Sequence, residues 1–217
     1  MKRSEAYRQR HAAEWERMVR HPFVLALGRG DLPKEAFGAY MVQDYLFIDA
    51  LVRTVAYGVA KAPSVQAAKP LGDFLQVLLG AEDDLFKQVF ESLGREWPMH
   101  EKPEAAPVVR QFSDFLVDLG KRGSFAAIAT ALHVTEGTYS DWAQHLAGEG
   151  LVPDDPLYKG WIDIHAVQSL ADFASYLSDC MGEMDGTPED EALERVFQRA
   201  LQYEVRFWDA VWSGRSG

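Results

Sequence analysis

The chain is 217 residues long, 47% hydrophobic and 12% aromatic, with a formal net charge of −11. That length and apolar content suffice for a substantial core and exclude a disordered chain. The acidic balance excludes nucleic acid and anionic membranes as partners, since both carry the same sign. Cys180 stands alone, so no disulfide framework can form within the chain, which suits a reducing compartment. Neither an apolar leader nor an apolar run of spanning length is present, and the expectation is a soluble cytoplasmic protein.

In chain order, residues 4 to 20 are strongly charged, with Ala12, Trp15, Met18 and Val19 on one side, as an amphipathic helix requires. Gly28 and Gly30 then break the chain, and Asp31 stands where an N-cap belongs, with Pro33 just inside the next helix. A helical period runs from there to Pro63, placing Tyr40, Asp44, Phe47, Ile48 and Leu51 on one face. Ser64 is the expected N-cap of a helix reaching about Leu93, with Glu82 on its apolar stripe and Gly94 closing it. Residues 95 to 105, containing Pro98 and Pro103, read as a loop. Helices follow over 106–122, from Gly123-Ser124 to about Leu146, and, with a bend, over 157–184. Thr187-Pro188 starts the last helix, whose apolar side holds Leu193, Phe197, Leu201, Glu204, Phe207, Trp208 and Val211. No stretch alternates with period two for long, and no internal repeat or polar linker divides the chain. The expected architecture is one all-α domain over residues 1–217, an irregular bundle of about seven helices.

Four acids sit on apolar stripes: Asp44, Glu82, Glu136 between Leu132 and Tyr139, and Glu204 beside Phe207-Trp208. A lone buried carboxylate costs several kcal/mol, on the order given for buried ions, unless it is paired or protonated. Each could be a structural acid satisfied by a nearby Tyr, Trp or Arg, but four together point to an acid-lined cavity. A carboxylate-bridged dimetal centre would need Glu-x-x-His pairs. Here Glu82 is followed at +3 by Leu85, Glu136 by Tyr139 and Glu204 by Phe207, while His165 has Ser169 and Asp172 beyond it. No metal and no other cofactor is expected. The remaining chemistry is organic, with carboxylates gripping a nitrogen heterocycle and moving protons while aromatic rings stack on it. His21, before a proline at a helix end, reads as structural, Cys180 as packing, and the tryptophans as core or subunit interface.

His21-Pro22-Phe23-Val24, Gly30-Asp31-Leu32-Pro33, Phe37-x-x-Tyr40-x-x-Gln43-Asp44-Tyr45, Ala60-Lys61-Ala62, Glu82 and Tyr203-Glu204-Val-Arg-Phe207-Trp208 together resemble the TenA/thiaminase II family, in order and spacing over nearly the whole chain. The resemblance implies a haem-oxygenase-like all-α fold, a homotetramer or homodimer, and a thiamin-salvage hydrolase that releases hydroxymethylpyrimidine from a small aminopyrimidine. By the same resemblance Asp44 recognises the aminopyrimidine. Phe47 and Phe207 stack on its ring, Tyr139 lies near the reacting centre, and Glu204 is the catalytic acid/base. Glu82 is a supporting acid, and His165 lines the pocket.

The chain departs from thiaminases of the family at one position. Where they carry a nucleophilic cysteine it has Val134-Thr135-Glu136-Gly137, which resembles the cysteine-lacking branch with a glutamate in that place. A carboxylate is a poorer nucleophile than a thiolate, so Glu136 is expected to activate water or hold an amide. The expected reaction is hydrolysis of an amino- or N-formylamino-methylpyrimidine rather than cleavage of thiamin. Leu51 and His165 stand where tyrosines are common in the family, and Phe112 replaces a third. Two other functions stay open on the sequence: a non-catalytic binder of a pyrimidine-like heterocycle, and a metal-dependent oxidase of the same fold.

Overall fold

A computed structural model of the chain describes residues 1–94 and 103–213. Among these, eleven helices form and no strand. They are α1 (Arg3–Arg10), α2 (Ala12–Val19), α3 (Pro22–Arg29), α4 (Lys34–Lys61), α5 (Val65–Leu78), α6 (Ala81–Ser92), α7 (Pro107–Arg122), α8 (Phe125–Gly148), α9 (Pro156–Ala166), α10 (Gln168–Met181) and α11 (Pro188–Trp212). The expected all-α class holds, with more pieces than the expected seven. His21-Pro22 opens a helix of its own, and three expected helices are each divided, at His11, at Leu79-Gly80 and at Val167. Val167 is extended (φ −68°, ψ 142°). At Gly80 a Cβ would lie 2.9 Å from the Gln76 carbonyl oxygen, so the close approach of the chain there demands glycine. Apolar periodicity continues across such breaks because the buried face is the same on both sides.

Ser64 and Ser124 cap α5 and α8, accepting from the amides of Ala67 and Ala127 at 3.1 Å. Gly30 ends α3 in the left-handed conformation at φ 74°. Asp31 is not the N-cap of α4. That helix begins at Lys34 behind Pro33, and Asp31 instead accepts from the Arg29 guanidinium at 2.9 Å. Of the loop expected over 95–105, residues 95–102 lie outside the described residues. The part after it is anchored to α4 where the Ala106 amide donates to Gln43 at 2.7 Å.

Helix α8 is central, packed against α2, α4, α7, α9, α10 and α11. It can be central because Ile128, Leu132, Val134, Trp142 and Leu146 bury apolar groups on several faces at once. One hydrophobic cluster runs from Ala6 to Val211. Lys61 ties the end of α4 to the α7–α8 turn, donating to the carbonyls of Lys121 (3.0 Å) and Gly123 (2.7 Å). His21 caps α3 through Nδ1, which accepts from the Phe23 amide, and turns Nε2 to Asp209 at 3.3 Å. It is structural, as expected. Among the described residues no helix is long and apolar enough to cross a membrane.

Candidate active site

Four helices each bring one acid inward. Asp44 comes from α4, Glu82 from the first turn of α6, Glu136 from the middle of α8 and Glu204 from α11, and all four are buried. Burial pushes the Asp44 and Glu136 carboxyls each up to about 8 and those of Glu82 and Glu204 well above the carboxylate range. Mutual repulsion adds to this. Asp44 and Glu136 raise both Glu82 and Glu204, and Asp44 raises Glu136, so the four lie within electrostatic range of one another. Two hydroxyls act the other way. Tyr40 donates to Asp44, and Thr135 lies 3.0 Å from Glu136 Oε1, sharing its one proton with the Leu132 carbonyl. Among the described residues no lysine or arginine pairs with any of the four. Burial and repulsion thus favour the protonated form at all four, with no cation among the described residues beside them.

Around them stands an aromatic cage. The Tyr40 and Tyr139 hydroxyls are 3.2 Å apart, and the Tyr40 ring stacks on Trp208 at 4.9 Å. His165 lies 4.5 Å from Trp161 and 5.0 Å from Tyr139. Its Nδ1 is 2.8 Å from the Trp161 carbonyl, which can only accept, so Nδ1 carries the proton and Nε2 is left as an acceptor. Burial lowers this imidazole to about 4 and keeps it neutral. Phe207 meets Tyr40 edge-on at 5.9 Å. Phe47 packs on Phe112 at 4.7 Å, and Phe112 stacks on Tyr203.

A cavity of about 530 Å³ runs from this cluster to the surface between α5–α6 and α9–α10. Glu82, Glu136 and His165 are on its wall. Asp44, Phe47, Tyr139, Glu204 and Phe207 are not, and they pack beyond it. Two of the three helix breaks border it, with Val77, Ala81 and Glu82 flanking that at Gly80 and Ile164, His165 and Val167 that at Val167. Phe74 and Phe173 stack at 4.3 Å along its side. Sequence reasoning gave no role to Tyr40, Phe74, Trp161 or Phe173. Tyr40 was findable, being one turn before Asp44 on the same stripe. Phe173 lies beyond the Val167 break, and no periodic signal pairs it with Phe74. Among the described residues no group of three or more His, Cys, Asp or Glu could hold a metal ion, so the oxidase reading lacks a ligand set. Cys180 is partly buried beside Tyr176, and burial pushes its thiol up.

Comparison with known proteins bears on the family and the fold. An aminopyrimidine aminohydrolase of Halalkalibacterium halodurans is 28% identical over 204 residues, covering 93% of this chain and 91% of that protein. One from Helicobacter pylori is 26% identical, covering 91% and 93%. The TenA homologue from P. horikoshii OT3 superposes with a TM-score of 0.88 at 22% identity over the whole of both chains. A domain from Shewanella denitrificans with a haem-oxygenase-like fold gives 0.67 at 16% identity, covering 95% and 90%. The fold is therefore haem-oxygenase-like. The model of the TENA/THI-4/PQQC family matches residues 8–214, nearly the full length, and the chain belongs to that family.

Proposed function

We propose that the protein is a thiamin-salvage hydrolase that acts on an amino- or N-formylamino-methylpyrimidine and releases hydroxymethylpyrimidine. The observation that carries this reading is a cluster of four uncompensated buried acids, of which Glu82 and Glu136 line the cavity and Asp44 and Glu204 pack directly behind them. Such a cluster is costly for folding and gains its partner only when a basic ligand arrives. The names of the relatives from H. halodurans and H. pylori support it. The base enters by the cavity, passes Glu82 and Glu136 on its wall and reaches Asp44 behind them, which accepts from the exocyclic amine and from a protonated ring nitrogen together. The ligand then supplies the missing cation, and the carboxyl gives up its proton. Phe47, Phe207 and Tyr139 are read as the ring-holding side chains, Glu82 as a supporting acid, and His165 Nε2 as an acceptor for a substrate N–H.

In the reaction water adds its oxygen to the exocyclic methylene carbon, the C–N bond breaks, and the amine leaves with a proton. Of the four acids, Glu136 and Asp44 are those with a hydroxyl favouring the charged form. With Asp44 engaged by the base, Glu136, once it has lost its proton, is read as the group that takes a proton from water. Glu204 has no such donor and holds the proton that the leaving amine needs. Asp44→Ala and Glu204→Gln should each abolish turnover of aminomethyl- and formylaminomethyl-pyrimidine while leaving helical circular dichroism intact. Full activity in either would remove the mechanism. Stabilisation by the pyrimidine without any product would instead favour the binder.

The same reading takes residues 1–217 as one domain, supported by the single hydrophobic cluster, and places the protein in the cytoplasm as a homotetramer or homodimer. Sedimentation of the full chain reads the assembly.

A further inference from the structure

We propose, on the basis of the hydrolase reading above, that the substrate amine carries a bulky apolar substituent, which lies along the Phe74–Phe173 wall while the base lies against the acids. A primary amine or a formamide needs only a narrow exit for its leaving group. Past Glu82, Glu136 and His165, however, the cavity continues as a mainly apolar channel. Its sides are Phe74, Val77, Ile164, Val167, Leu170 and Phe173, with Asp73, Ser169 and Asp172 among them. The two phenyl rings stack on each other at 4.3 Å with 24° between their planes, and both belong to the channel wall, an aromatic side against which an apolar ring can pack. Val77 and Val167, 48% and 43% exposed, continue it to solvent. The volume of 530 Å³ lies within the roughly 300–1,000 Å³ typical of pockets for drug-sized ligands. A single-ring base held by the acids would leave this channel unused. Hydrolysis then takes the form R–CH₂–NH–R′ plus water giving R–CH₂–OH plus R′–NH₂. The C–N bond breaks, a C–O bond forms, and the leaving amine takes up the proton.

The test compares the N-benzyl derivative of the aminomethylpyrimidine with the unsubstituted amine, by kcat/KM from released benzylamine or ammonia and by calorimetric Kd. Burial of a phenyl-sized group predicts roughly a tenfold or greater preference for the benzyl compound in both measurements. Phe74→Ala and Val167→Asp should each cut that ratio to about threefold or less. Asp at position 167 is a good N-cap for α10, so this second variant keeps the fold where the first could loosen it. Turnover of the primary amine with equal or weaker handling of the benzyl compound would overturn the proposal and leave the hydrolase reading standing. So would a preference that neither variant alters. If neither compound is hydrolysed the hydrolase reading fails, and the proposal fails with it.

Discussion

Asp44→Asn should stabilise the protein and at the same time inactivate it. The carboxyl sits at about 8 in the folded chain against 3.8 for the ordinary group. Between those values the folded state keeps a proton that the unfolded state has lost. Stability is therefore whole below about pH 4 and falls as pH rises towards 8. At 1.36 kcal/mol for each tenfold change, the acid costs on the order of 4 kcal/mol at pH 7 and under about 2 kcal/mol at pH 5. Asparagine has the same shape, can still accept from the Tyr40 hydroxyl, and does not ionise. Urea melts followed by circular dichroism should show the variant more stable at neutral pH, with its advantage shrinking by roughly 2 kcal/mol or more towards pH 5. A variant less stable at pH 7, or one with an unchanged pH slope, would mean that the carboxylate has a counter-charge, and the reasoning about an uncompensated cluster would be refuted.

Glu204→Gln keeps volume and burial but has no proton to give, and kcat should fall by about 10²-fold or more with helicity unchanged, as read by steady-state kinetics. Tyr40→Phe removes the donor that favours ionised Asp44. That carboxyl should rise further, so the fall in stability continues to higher pH and the variant loses about 1 kcal/mol above about pH 8 with less change near pH 5, as read by melts at several pH values. Gly80→Ala drives a Cβ to within 2.9 Å of the Gln76 carbonyl and should cost about 1–3 kcal/mol in a urea melt. Ser124→Ala leaves the Ala127 amide without its cap and should cost about 1 kcal/mol, also by urea melt.

The long helices were legible because their stripes, caps and terminal prolines agree. Ser64, Ser124 and Thr187-Pro188 all stand at the starts expected for them. The four acids were legible for the same reason, since an acid within an apolar stripe can be read without coordinates. The break at Gly80 was not, and at Val167 only a bend was expected. Periodicity carries straight through them, and what divides each helix is a contact or a backbone angle that leaves no mark on the pattern. An acid-lined cavity was expected, but its outer walls were hidden along with them, because they come from α5, α6, α9 and α10, and nothing local pairs Phe74 with Phe173. Asp31 misled for a simpler reason. Asp before Leu-Pro has the composition of a cap, but the helix waits until Lys34, and the side chain turns back to Arg29.

Three of the four acids stand on unbroken helices of 24 to 28 residues, α4, α8 and α11. The mouth of the cavity, in contrast, is edged by the ends of four shorter segments. Reactivity and selectivity thus reside in mechanically separate parts of the molecule. On the proposed reading, changes in the short segments would reshape what enters while the long helices keep Asp44, Glu136 and Glu204 in place.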